Sequence, residues 1–270
     1  MRIERIKEGM TNDSHILVLE GKQFVVRLPG KGTETLINRT HEAQVYQVIA
    51  PLNIADKVLF IDPANGYKIT QFLTNATTCD KYNWEQVKRC MDKLKVLHQA
   101  KLQVDFSFDP FERILFYEGL MEVSGYPDYQ QTRDNVFALQ IYLSPVTQVL
   151  CHLDANPDNF LFYGEDQQKL KLIDWEYAAM QDPLMDLAMW AIYAMYDRQA
   201  VDQLMDCYSV DTQQQRYRVY AYMAICGLTW SNWCEYKARL GVHLGAYATA
   251  QYTYAKTYYQ LFMTEWGQHV

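Results

Sequence analysis

Cys151-His152-Leu153-Asp154-Ala155-Asn156-Pro157-Asp158-Asn159, followed after a short apolar run by Ile173-Asp174-Trp175-Glu176, decides how the whole chain is read. Phosphoryl transfer from a nucleotide needs an oriented hydroxyl, a held magnesium ion and offset phosphate charge. Asp154 has the position of the base that orients the hydroxyl and accepts its proton. Asn159, five residues on, offers an amide oxygen to magnesium, and the strand Lys169–Ile173 delivers Asp174 as a second hard oxygen ligand. Either segment alone is equally an ordinary surface turn, because Asp, Asn and Pro favour turns. Their conjunction is more specific: two polar ligands, a short hairpin, and a third ligand on its far end. His152 reads as a buried residue bracing the loop through hydrogen bonds, not as an acid or base.

Outward toward the N-terminus, residues 1–73 read as a small mixed lobe. Ile16–Leu19 and Phe24–Leu28 form a hairpin around Glu20-Gly21-Lys22, and Pro29-Gly30-Lys31-Gly32 closes the second strand. Ala43, Val45, Tyr46, Val48 and Ile49 predict a helix from about Asn38 to Ala50. Val58–Ile61 and Tyr67–Phe72 predict two more strands, so the expected order is strand, strand, helix, strand, strand. Arg27 on the second strand can reach nucleotide phosphates, and Glu42 on the helix can fix it; the bland alternative is a surface Arg and Glu. Thr11 and Asn12, ahead of the first strand, form the candidate phosphate loop, although Glu8–Ser14 has one glycine and no G-x-G-x-x-G. Gln71 and Leu73 lie at the hinge, where the backbone can pair with an adenine edge. Residues 74–270 read as mostly helical, apart from short strands between 148 and 176. The fold class is α+β, a small antiparallel sheet with one helix joined to a larger helical lobe.

Composition narrows the partners. The 270-residue chain carries a formal net charge of −7, which disfavours nucleic acid and anionic lipid. Six scattered cysteines form no C-x-x-C pair, and no uncharged apolar run reaches membrane-spanning length. The charged N-terminus does not read as a signal peptide, so the expected location is cytoplasmic. The 21 Tyr and six Trp are a large supply of ring faces for holding a cation.

Gly9-Met10-Thr11-Asn12, Arg27–Glu34, Ile37-Asn38-Arg39-x-x-Glu42, the Asp154 and Asp174 blocks with Trp175-Glu176-Tyr177, Asp182-Pro183-x-x-Asp186-Leu187 and Trp230-x-x-Trp233 together resemble the choline/ethanolamine kinase family, and within it the bacterial choline kinases. The resemblance spans nearly the whole chain, and its Asp154 and Asp174 blocks are shared with aminoglycoside phosphotransferases. It implies a protein-kinase-like fold, ATP, magnesium, and transfer to the hydroxyl of a small amino alcohol. It implies the base role for Asp154, magnesium roles for Asn159 and Asp174, and an aromatic pocket at Tyr177, Trp230, Trp233 and Tyr247, with Asn156 beside the acceptor. A trimethylammonium donates no hydrogen bonds, so Trp and Tyr faces are its natural partners, each giving about 0.5–2 kcal/mol. Without the resemblance, in a chain this aromatic, the two Trp read more readily as core anchors. One departure is Tyr193, seven residues after Asp186, where the family often carries a Glu; a charge is lost and a ring gained. Ethanolamine, thiamine or an aminoglycoside is the alternative acceptor, and a non-catalytic kinase-fold binding protein the alternative class.

Overall fold

The computed structural model describes residues 2–8, 12–30, 33, 35–143 and 145–267. In chain order its first elements are β1 (Arg2–Glu8), β2 (Asn12–Leu19), β3 (Lys22–Pro29), α1 (Arg39–Ile49), β4 (Val58–Ile61), β5 (Lys68–Gln71), β6 (Thr77–Thr78) and α2 (Trp84–Gln99). Then come α3 (Pro110–Met121), α4 (Tyr129–Ala138), β7 (Val149–Cys151), β8 (Phe160–Tyr163), β9 (Lys169–Leu172) and β10 (Ala179–Gln181). Four helices finish the chain: α5 (Leu184–Tyr193), α6 (Arg198–Tyr208), α7 (Gln213–Arg239) and α8 (Ala246–Glu265). They fall into two compact units, Met1–Phe106 with Pro157–Ala179, and Ser107–Asn156 with Met180–Val270.

The first unit is built on a five-stranded antiparallel sheet in the order β1-β2-β3-β5-β4. The expected hairpin is present and longer than its apolar runs, with Leu19 opposite Lys22. Its turn residues Glu20 and Gly21 both have positive φ, 50° and 76°, which matches a turn to the twist of the strands. β1 corrects the expected element order. Charged residues dominate it, Ile3 and Ile6 stay exposed, and a register shift between Arg5 and Lys7 breaks its period. An edge strand guarded by charge has no apolar alternation to read. α1 lies within the expected 38–50, and its start is fixed by the Asn38 side chain, which accepts the Thr40 and His41 N–H groups. The unit does not stop at residue 73. β6 pairs with β8 and β8 with β9, so this small sheet draws residues 157–179 in with the N-terminal strands.

The second unit is helical. α7 is 27 residues long, opened by a capping box between Thr212 and Gln215, and buried along nearly all its faces. A Cβ on Gly227 would lie 2.7 Å from the Gln251 carbonyl oxygen and 2.8 Å from the Ala255 nitrogen, so glycine lets α8 approach α7. α5 is buried from Leu184 through Ile192. Among the described residues no helix is long and apolar enough to cross a membrane.

Candidate active site

A buried charge network organises the first unit. Antiparallel register sets Arg27 on β3 opposite Lys68 on β5, two like charges that would repel. Glu42 on α1 resolves this. Its Oε1 accepts from Arg27 Nη2 and, at 2.8 Å, from Lys68 Nζ, while its Oε2 takes Arg39 Nη1 at 3.0 Å. Arg39 also donates to Glu176 at 2.8 Å and to the Asn12 side-chain oxygen at 3.2 Å, and Asn12 donates to Glu176 at 2.9 Å. Arg27 Nη1 donates to Asp174. Burial pushes the Glu42 carboxyl up, but Lys68, Arg27 and Arg39 outweigh it and hold the group down to about 2. Glu176 goes the other way, raised by burial and by the neighbouring Asp174 charge.

The β8–β9 hairpin brings Asn159 and Asp174 to one end. Phe160 pairs with Leu172, and the Ile173 N–H donates to the Asn159 carbonyl at 2.9 Å. Asn159 immediately precedes β8 and Asp174 follows β9 by two residues, so both side chains leave from the same end of the ladder. Asp174 has φ 69°, a left-handed conformation that Asp tolerates better than most residues. An amide oxygen and a half-buried carboxylate are the hard donors a magnesium ion takes.

In the second unit, β7 delivers the loop that carries Asp154. Asp186, fully buried in the first turn of α5, accepts the His152 N–H at 2.9 Å and the Leu153 N–H at 2.7 Å. His152 Nδ1 accepts the Asp154 N–H at 3.3 Å, so this buried histidine braces the loop as expected. Asp154 O in turn accepts the Asn156 N–H at 2.8 Å. Leu153 has φ 61°, a conformation an apolar residue holds only when its surroundings over-determine it. The chain passes from the second unit to the first between Asn156 and Pro157.

Four rings cluster in the second unit. Tyr193 lies 5.8 Å from Trp230 and 6.4 Å from Tyr247, centroid to centroid, and Trp230 meets Trp233 edge-on at 5.7 Å. Trp230 donates its indole N–H to Met189 Sδ at 3.0 Å, and the Lys237 ammonium stands over the Trp233 ring, 5.7 Å from its centroid. Burial, then Cys234 and Asp154, raise the Tyr247 hydroxyl well above the ordinary range.

The structure thus joins Asn12, Arg27, Glu42 and Asp174 in one network, Asn159 with Asp174 on one hairpin, and Tyr193, Trp230, Trp233 and Tyr247 in one cluster. Tyr177 is buried in the first unit, and Asn156 follows Asp154 on the loop. Thr11 lies outside the described residues, as do Gly9 and Met10. At the hinge the Gln71 N–H is taken by the Lys57 carbonyl at 2.9 Å. Arg27 and Glu42 are buried, which removes the surface reading of the pair. Sequence reasoning gave no role to Lys68, Arg39, Glu176 or Asp186. A lysine on the inward face of a short strand was the available signal for Lys68.

A family model described as the phosphotransferase enzyme family matches residues 2–222. Protein LicA of Haemophilus influenzae is 28% identical over 262 residues, spanning 89% of this chain and 75% of that protein. The crystal structure of the choline kinase LicA from Streptococcus pneumoniae superposes with a TM-score of 0.86 at 29% identity, over 97% of this chain and 94% of that one. A structure of LicA in complex with AMP gives a TM-score of 0.85 at 29% identity, over 97% and 92% of the two chains.

Proposed function

The chain belongs to the phosphotransferase enzyme family, and on that premise we propose that it transfers the γ-phosphoryl group of ATP to the hydroxyl of choline, giving phosphocholine and ADP. It is an enzyme that phosphorylates an alcohol. Asp154 accepts the hydroxyl proton as the oxygen forms its bond to the γ-phosphorus and ADP departs. Residues 1–73 supply the nucleotide half. Arg27, locked by Glu42, presents its guanidinium toward the phosphates; Thr11 and Asn12 edge them; Gln71 and Leu73 flank the adenine. Asn159 and Asp174 would hold magnesium, which when bound offsets charge on the phosphate oxygens.

The observation that carries the choice of acceptor is the cluster of Tyr193, Trp230, Trp233 and Tyr247, which already holds one ammonium, that of Lys237, against a ring. Tyr177 and Asn156 complete the acceptor-binding set of this reading. The ring standing at Tyr193, where relatives often carry a Glu, favours a quaternary ammonium over ethanolamine. A small-molecule acceptor, no nucleic acid and a cytoplasmic location with six free thiols fit the acidic chain.

The test is a panel of choline, ethanolamine, thiamine and an aminoglycoside, scored by ADP release with Mg·ATP. Choline is expected to give the highest kcat/KM. Asp154→Asn is expected to lower kcat at least about a hundredfold while ATP binding persists. Preference for another acceptor overturns the choline assignment, and undiminished turnover in the Asn variant overturns the role of Asp154.

A further inference from the structure

Lys237 lies one turn beyond Trp233 on α7, so the two side chains share a face of the helix. It is 3% exposed. A buried ammonium normally finds a carboxylate, since desolvating an unpaired charge is costly. Here, among the described residues, it has none, and its partner is the face of Trp233. The carboxylates of α3, α4, α5 and α8 are engaged elsewhere, and Asp154, whose charge acts on the Tyr247 hydroxyl, stands on the loop after β7. Glu235 on the same helix accepts the Gly125 N–H at 2.6 Å through Oε1, while its Oε2 is buried without a hydrogen-bond partner and makes no ion pair with Lys237 among the described residues. On and after α3, Glu118 holds Arg133 and the Tyr129 hydroxyl, and Glu122 holds Arg239. Asp134 on α4 also faces Arg133, and Asp186 on α5 takes the two backbone N–H groups of the Asp154 loop. On α8, Glu265 pairs with Arg198 and Lys256 with Asp128.

We propose that the Lys237 ammonium is a fixed cation on one wall of the ring cluster, and that it restricts this enzyme to acceptors carrying a single positive charge. The inference rests on reading the cluster as the acceptor site. One quaternary ammonium can use the faces of Trp230, Tyr193 and Tyr247, while Lys237 stands over Trp233. An acceptor with a second ammonium must bring that charge into the same field, where repulsion inside a partly dry pocket is weakly screened. Burial pushes the Lys237 ammonium below the ordinary lysine range, so alkaline solution removes the charge earlier than for a surface lysine.

The experiment is equilibrium binding read by tryptophan fluorescence, with choline and with the bis-quaternary ion hexamethonium, to the wild type and to Lys237→Met, Lys237→Gln and Lys237→Arg. Removing the charge is expected to tighten choline about fivefold and hexamethonium by a larger factor, with the Arg variant behaving as wild type. Wild-type affinity for choline is expected to rise between neutral pH and about pH 10, with the Met and Gln variants flat over that range. Unchanged affinities and a retained pH slope in both neutral variants overturn the role of Lys237 while leaving the acceptor assignment standing. If the wild type binds no choline, the acceptor assignment itself fails and the role of Lys237 falls with it.

Discussion

Arg27 donates to two carboxylates, Glu42 from α1 and Asp174 from beyond β9, and stands 3.5 Å from a third, Glu176. Glu42 is 1% exposed and meets three cations, which is why its proton is held so weakly. A carboxylate whose folded value is depressed stabilises the fold above its unfolded value, near 4.5, and that contribution is lost as the pH falls toward about 2. From about 2 to 4.5 this amounts to about 3 kcal/mol. Glu176 has the opposite sign, because its raised value makes ionisation costly at neutral pH. Glu42→Gln is therefore expected to lose about 3–5 kcal/mol at pH 7, since it strands Arg27 and Lys68. It is also expected to lose less further stability than the wild type between about pH 5 and pH 2. Urea unfolding at both pH values reads this, and parallel acid losses in the two proteins would refute the pairing. The Arg27–Glu42 pair was inferable because each sits on an element that local pattern predicts. Arg39 and Lys68 were not, because Glu176 is 137 residues from Arg39 and Lys68 meets Glu42 only through strand pairing.

The β4–β5 turn shows how an element places such a residue. Gly66 has φ 74°, and a Cβ there would stand 2.6 Å from Arg39 Nε. Gly21, at the β2–β3 turn, has φ 76° with nothing within 4 Å of a Cβ. Alanine at either position incurs the same left-handed strain, of order 1 kcal/mol. Only at Gly66 does it also displace the guanidinium that ties Asn12, Glu42 and Glu176. Gly66→Ala is expected to cost about 2–4 kcal/mol and Gly21→Ala about 1 kcal/mol. Equal losses in denaturant unfolding would show that Arg39 yields freely. The two turns look alike in sequence, each a glycine between apolar runs. What separates them is a side chain from α1, which no local window contains. β1 stayed hidden for the converse reason: an edge strand made of charged residues carries no periodic signal. The β2–β3 hairpin and α1 were readable because turn residues and apolar spacing agree within a few residues.

Over the whole molecule, the His152–Asn159 stretch reads as one motif, yet the chain changes compact unit inside it, after Asn156. Asp154 is held by the helical unit through Asp186, whereas Asn159 and Asp174 belong to the unit of the sheets. The sequence motif groups these residues but does not say which body carries each, because β6–β8 pairing joins segments some 80 residues apart. This division makes a prediction about how ligands stabilise the protein. A ligand that binds only the native state adds about 2.7 kcal/mol at a hundred times its Kd. Hydrogen exchange locates that gain, because amides slow most where opening would release the ligand. Mg·ATP is expected to slow exchange in β2, β3, α1 and the β8–β9 hairpin, and chelating the magnesium is expected to remove most of the effect at 157–176. Choline alone is expected to slow the C-terminal half of α7, the end of α5 and the start of α8, where Tyr193, Trp230, Trp233 and Tyr247 stand. Choline protection centred on the β8–β9 hairpin, with α7 unchanged, would return Trp230 and Trp233 to the status of core anchors. Mg·ATP protection that survives chelation at 157–176 would separate nucleotide binding from Asn159 and Asp174. Apart from Tyr177, which the first unit contributes to the acceptor set, Mg·ATP interrogates the unit of the sheets and choline the helical unit, so each outcome bears mainly on one half of the proposed chemistry.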